Sequence, residues 1–161
     1  MLMIVLRFTH VFFGALWVGM MVFQVFFLTP ALGQAGPDAG KVMAALMRMR
    51  IPLIVPIFAL LTLISGFWMF QRLAGGAPDA LMATPMGKAF GWGGLSALLA
   101  FLIGIFVMRP AMMKSMMLAQ SGDPAHGPEI QRLRARGAVV GRVVTIMLLF
   151  TLAAMAVARY L

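Results

Sequence analysis

The sequence contains no cysteine and very few acidic residues. Of its 161 residues, 4 are Asp or Glu. The absence of cysteine excludes disulfides, thiolate metal sites, covalent attachment of c-type haem and thiol catalysis. The four acids, Asp38, Asp79, Asp123 and Glu129, all fall between the long apolar segments. A carboxylate pair for acid–base catalysis inside an apolar core is therefore not expected. No Ser/His/Asp set, phosphate-binding loop or metalloprotease motif is present.

Charged residues of either sign are scarce, and apolar residues dominate. Charged residues make up 11% of the chain and hydrophobic ones 63%, with a mean hydropathy of +1.00. Soluble domains average about 25% charged and 45–50% apolar residues. The composition therefore predicts an integral membrane protein, and its length suits one domain over residues 1–161. The net charge is +9. Because the basic residues lie at the ends of apolar runs, they indicate contact with phospholipid and no binding of nucleic acid.

Four apolar segments are long enough to cross a bilayer, which takes about 20 residues. They are Ile4–Leu28, Ile51–Phe70, Lys88–Met108 and Ala138–Ala158. Because backbone groups in lipid need internal hydrogen bonds, the segments are predicted to be helices. The predicted fold is an all-α, up-and-down four-helix membrane bundle. The first connection runs from Thr29 to Arg50 and is predicted to begin with Pro30. Within it, Asp38 is predicted to cap a short amphipathic helix, Ala39 to Arg50.

Basic residues are distributed unequally between the two sides of this bundle. Eight lie in the first and third connections: Lys41, Arg48, Arg50, Arg109, Lys114, Arg132, Arg134 and Arg136. Four lie on the opposite side: Arg7, Arg72, Lys88 and Arg159. The positive-inside rule then places both termini outside and those two connections in the cytoplasm. We therefore expect a multi-pass protein of the bacterial inner membrane.

One face of the first span carries side chains that lipid does not favour. Read at steps of three and four residues, it is Arg7, His10, Gly14, Trp17, Met21, Gln24 and Leu28. An ionisable side chain inside a membrane span indicates a functional site. Three interpretations of His10 stay open. It is a structural histidine bonded to a backbone carbonyl or water, a ligand of a cofactor or metal, or a proton relay without an acidic partner in the span.

A b-type haem is the cofactor that suits the predicted outer end. Its iron takes an imidazole, optionally with a thioether, and its propionates take Arg or Lys. His10 is then the predicted axial ligand, with Arg7 near the propionates. Gly14 leaves room for a flat ring, and Trp17 lies on the same face. Met69 is the predicted sixth ligand, from a stripe on the second span: Phe58, Thr62, Ser65, Met69 and Arg72.

Two alternatives remain beside the haem protein. One is a structural or accessory subunit of a larger membrane complex, without a cofactor. The other is copper transport or resistance, since thioethers can hold Cu(I) and five methionines crowd the end of the third span: Met108, Met112, Met113, Met116 and Met117. The only other histidine, His126, falls in a polar loop assigned to the cytoplasmic side. Two imidazoles for one haem would therefore require His10 from both copies of a homodimer.

Short motifs of three spans resemble a known group of small membrane proteins. They are THVFFGALWVG (9–19) followed by Pro30-Ala31-Leu32, then Arg50-Ile51-Pro52 through Ser65-Gly66, and Thr84-Pro85-Met86-Gly87-Lys88. The chain resembles the copper resistance protein D domain, the HemJ-type protoporphyrinogen oxidases and related families of unknown function. The resemblance implies haem b at His10, and metal transport for the copper branch. The oxidases have a lysine inside the third helix, where this chain has Trp92, and further histidines that it lacks. Oxidase activity is therefore not expected.

Overall fold

A computed structural model describes the backbone of residues 1–161 and every side chain except that of Pro37. The described chain is all-helical, as predicted. Its helices are α1 (Leu2–Gln34), α2 (Ala39–Arg48), α3 (Ile51–Ala74), α4 (Pro78–Ala83), α5 (Pro85–Gln120) and α6 (Pro124–Tyr160). The four long ones, α1, α3, α5 and α6, are long and apolar enough to cross a membrane. They contain the four apolar segments found in the sequence.

Pro30 and Pro110 lie inside long helices, and Pro30 was expected to begin a connection. The prediction that the first connection begins at Pro30 is wrong, because α1 runs on to Gln34; α5 likewise passes Pro110. Each proline follows a π-helical turn, Gln24–Leu28 in α1 and Gly104–Met108 in α5. Proline lacks an N–H and crowds the carbonyl four residues before it. The wider turn, with hydrogen bonds over five residues, accommodates that crowding without ending the helix.

The connections follow local side-chain and backbone chemistry. The short helix α2 confirms the predicted one, but the Asp38 carboxylate does not cap it. It forms an ion pair of 2.7 Å with Lys41 instead. Arg50 adopts a left-handed conformation (φ 56°) and separates α2 from α3. At the start of α5, the hydroxyl oxygen of Thr84 accepts a hydrogen bond of 3.0 Å from the Gly87 amide.

Contacts between the long helices show that neighbours run in opposite directions. In α1 and α3, Gly14 lies beside Thr62, and His10 lies beside Gly66. In α5 and α6, the Ser96 hydroxyl donates to the Met147 carbonyl, and the Thr151 hydroxyl donates to the Gly93 carbonyl, both at 3.0 Å. Since Val25 of α1 also contacts Gly141 of α6, the starts of α1 and α5 lie at the same end as the ends of α3 and α6. We call this the terminal end, and the opposite one the loop end.

The core between the four long helices combines small residues with a few large ones. Its buried members are Trp17, Met21, Ala59, Ala97, Ala100, Val144 and Leu148. Small residues allow helices to approach closely where lipid surrounds them. Large apolar side chains cover the outside, and Phe8, Phe67 and Phe106 are each at least 66% exposed. Such an outer surface is typical of helices that face lipid.

Candidate functional site

His10 lies at the contact between α1 and α3. Its Nδ1 atom is 2.9 Å from the carbonyl oxygen of Thr62. Its ring lies against Gly66, where a methyl group would come 2.6 Å from Cε1 and 2.8 Å from Nδ1. The glycine at position 66 is therefore what allows the imidazole to reach the backbone of α3.

The hydrogen bond to Thr62 defines the tautomer of the imidazole. Because a carbonyl oxygen only accepts, Nδ1 carries the proton, and Nε2 of the neutral ring keeps its lone pair. Among the described residues, Nε2 of His10 has no hydrogen-bond partner, and it is not an atom sealed inside the protein. Histidines that bind metals usually have this arrangement, in which one ring nitrogen donates to a carbonyl and the other faces the metal.

Gly14 and Trp17, both predicted to line the haem, have other neighbours. The space beside Gly14 is taken by the methyl group of Thr62, which lies 3.3 Å from where a Cβ atom would be. Trp17 is only 4% exposed and belongs to the core, towards the loop end. Gly14 therefore serves the close packing of α1 on α3, and Trp17 lies nearer the middle of the protein.

Arg7 and Met69 lie closer to the terminal end than His10 does. Gly14 lies opposite Thr62, and His10 lies opposite Gly66. Continuing this antiparallel spacing by one helical turn towards the terminal end brings Arg7 opposite Met69. Arg7 is exposed, and Met69 is half-buried. The ion pairs of the described residues do not include Arg7. The guanidinium of Arg7 is thus available to an anion.

The methionines near the end of α5 do not form one cluster. Met108 and Met112 face a cavity inside the protein, whereas Met113 and Met117 are exposed at 37% and 68%. No group of three His, Cys, Asp or Glu side chains suited to a metal ion occurs in the described part of the chain. His126, predicted in a polar loop, lies in the short turn Pro124–His126, 3.9 Å from an Asp123 carboxylate oxygen.

The sequence interpretation missed a cavity at the loop end. It has a volume of about 130 Å³ and is lined by residues of α1, α2, α3 and α5, with Val144 of α6. Apart from Gln24, Thr29 and Arg109, its lining is apolar, and it includes five methionines: Met21, Met43, Met47, Met108 and Met112. Both π-helical turns border it, and π-helical turns frequently occur at functional sites.

The cavity lies between equivalent faces of α1 and α5. The stretch QVFFLTPA (24–31) corresponds to GIFVMRPA (104–111), so that each residue lies 80 positions before its equivalent. Five equivalent pairs line the cavity: Met21 with Phe101, Gln24 with Gly104, Leu28 with Met108, Thr29 with Arg109, and Leu32 with Met112. This short similarity, with three identical residues among eight, is the signal in the sequence that could have pointed to the cavity.

These features define the chain as an all-helical protein with four helices able to cross a membrane, a histidine fixed between the first two of them and an apolar cavity at the loop end. Comparisons with protein-family models, curated proteins and solved structures found no match. The resemblance to the copper resistance protein D and HemJ-type proteins therefore remains a prediction from short motifs.

Proposed function

We propose that this protein is a small redox or accessory protein of the bacterial inner membrane that binds haem b through His10. The four long helices cross the bilayer as an up-and-down bundle, with the terminal end outside. The haem would supply one-electron transfer to a partner in the membrane. The chain's own residues hold the imidazole in one tautomer and offer a cation to the propionates.

The observation that carries this proposal is the 2.9 Å hydrogen bond from His10 Nδ1 to the Thr62 carbonyl oxygen. It orients the ring and leaves Nε2 as the ligating atom, which an axial histidine requires. Arg7, one turn further out and exposed, is placed to pair with a propionate. Thr62 fills the space beside Gly14, so His10 and Arg7 are the residues that would hold the haem.

The competing function is a structural subunit of a membrane complex. The same hydrogen bond favours it, because a histidine that joins two helices needs no cofactor. The two functions predict different properties of the purified protein. A haem protein is coloured, whereas a structural subunit is colourless and co-purifies with a larger partner.

The deciding experiment is an absorption spectrum of the detergent-purified protein, expressed with added haem, before and after reduction by dithionite. We expect a Soret band and sharp reduced α and β bands, which His10→Ala abolishes. The control His126→Ala changes the other histidine and should retain the bands. A spectrum without visible bands from a helical wild-type protein would contradict the haem proposal and favour the structural subunit.

A further inference from the structure

We propose that the loop-end cavity binds a single-chain amphiphile with an acidic head group, such as a fatty carboxylate. The chain would enter the cavity, and its head would pair with Arg109. This site is separate from His10 and does not depend on the haem proposal.

The size and the lining of the cavity favour an apolar occupant. A dry protein cavity of about 150 Å³ lined by apolar side chains binds benzene or xenon, and this one measures about 130 Å³. It therefore has room for a few methylene groups, while its open side allows the rest of a chain to extend outwards. Methionine suits such a wall because its unbranched, polarisable side chain adapts to different shapes.

The polar groups of the cavity favour an acidic head. The Thr29 hydroxyl already donates to the Gln24 carbonyl oxygen at 2.8 Å. Arg109 takes part in none of the three ion pairs of the described residues. A guanidinium pairs with a carboxylate through two parallel hydrogen bonds. The same positive charge opposes Cu(I), which the neighbouring thioethers would otherwise suit.

The test uses Trp17, which lines the cavity and is 4% exposed. In a Trp68→Phe, Trp92→Phe background it is the only tryptophan. The protein is placed in phospholipid nanodiscs and titrated with ω-bromododecanoate, whose bromine quenches tryptophan fluorescence. We expect saturable quenching that unlabelled dodecanoate reverses. Quenching that rises linearly with probe concentration would reflect partition into lipid and would overturn the proposal.

Two glycines of α5 provide a matched pair of variants. A methyl group at Gly104, which borders the cavity, or at Gly94, which does not, would meet no atom within 4 Å. Gly104→Leu should therefore fill the cavity and abolish saturable quenching, whereas Gly94→Leu should keep it. Circular dichroism checks that both remain helical. Equal quenching of the two variants would overturn the site.

The acidic head is tested separately with Arg109→Gln, a change at an exposed residue. Loss of a hydrogen bond between charged groups should weaken the binding of ω-bromododecanoate about tenfold. The affinity for ω-bromododecanol, which has no charged head group, should be unchanged. If the wild type and the Arg109→Gln variant bind the acid and the alcohol with the same affinity, the proposed head-group specificity is wrong.

Discussion

The position of His10 depends on the absence of a side chain at Gly66. We expect Gly66→Ala to push the imidazole away from α3, because the new methyl group would lie 2.6 Å from Cε1. The hydrogen bond to the Thr62 carbonyl is then lost. Interhelical hydrogen bonds in membranes contribute about 0.6 kcal/mol, and overpacking costs about 1–3 kcal/mol. Unfolding in detergent measures the resulting loss of stability, and the reduced α band of a haem-loaded protein should weaken.

Gly19→Ala is the control for this change, since a methyl group at Gly19 would meet no atom within 4 Å. It brings the same gain in helix propensity without the clash. If the two alanine variants unfold at the same denaturant concentration, the contact between His10 and α3 does not contribute to stability.

At the residue scale, the sequence indicated which side chain matters but not what it touches. His10 is conspicuous because an ionisable group interrupts an apolar run. Its partner, however, is the main-chain carbonyl of Thr62, and every residue type has a carbonyl, so no pattern marks it. The neighbour of Gly14 could not be predicted for a related reason. A glycine leaves space, but only the structure shows that Thr62 fills it.

At the element scale, we expect the π-helical turn of α5 to tolerate a deletion. Such a turn contains one residue more than an α-helical one. Removing Phe106, which is 72% exposed, should therefore keep the flanking faces of α5 directed as before, with a kink at Pro110 in place of the wider turn. Deleting Leu98, in a regular part of α5, should instead rotate all following residues by about 100°. Size-exclusion profiles and thermal unfolding compare the two deletions. Equal losses of folded protein would contradict this account of the turn.

Hydropathy predicts the apolar parts of the long helices but not the residues at which these helices begin and end. Hydropathy detects only the stretch that matches the bilayer, about 30 Å, whereas α6 begins at Pro124 and includes the exposed basic residues Arg132, Arg134 and Arg136. Pro30 was interpreted as a helix end because an α-helix excludes proline from its interior. The π-helical turn before Pro30 allows the helix to continue past this proline. A hydropathy profile does not distinguish a proline that ends a helix from one that follows such a turn.

At the scale of the whole molecule, the short similarity between α1 and α5 coincides with the position of the cavity. In transporters built from repeats, the substrate binds at the boundary between equivalent helices. Here the equivalent prolines, Pro30 and Pro110, each follow a π-helical turn, and both turns border the cavity. The terminal end lacks this symmetry, because His10 corresponds to Phe90. The two candidate sites are therefore of different kinds.

The orientation of the molecule is predicted from charge alone, and it can be tested directly. Because the chain has no cysteine, Ser121→Cys at the loop end and Tyr160→Cys at the terminal end each introduce a single thiol at an exposed position. The excess of Lys and Arg in the connections of the loop end should hold them in the cytoplasm. A membrane-impermeant maleimide should then label Tyr160→Cys in cells whose outer membrane alone is permeabilised, and Ser121→Cys only after lysis. The reverse pattern would place His10 near the cytoplasm and would show that the basic residues do not set the orientation of this protein.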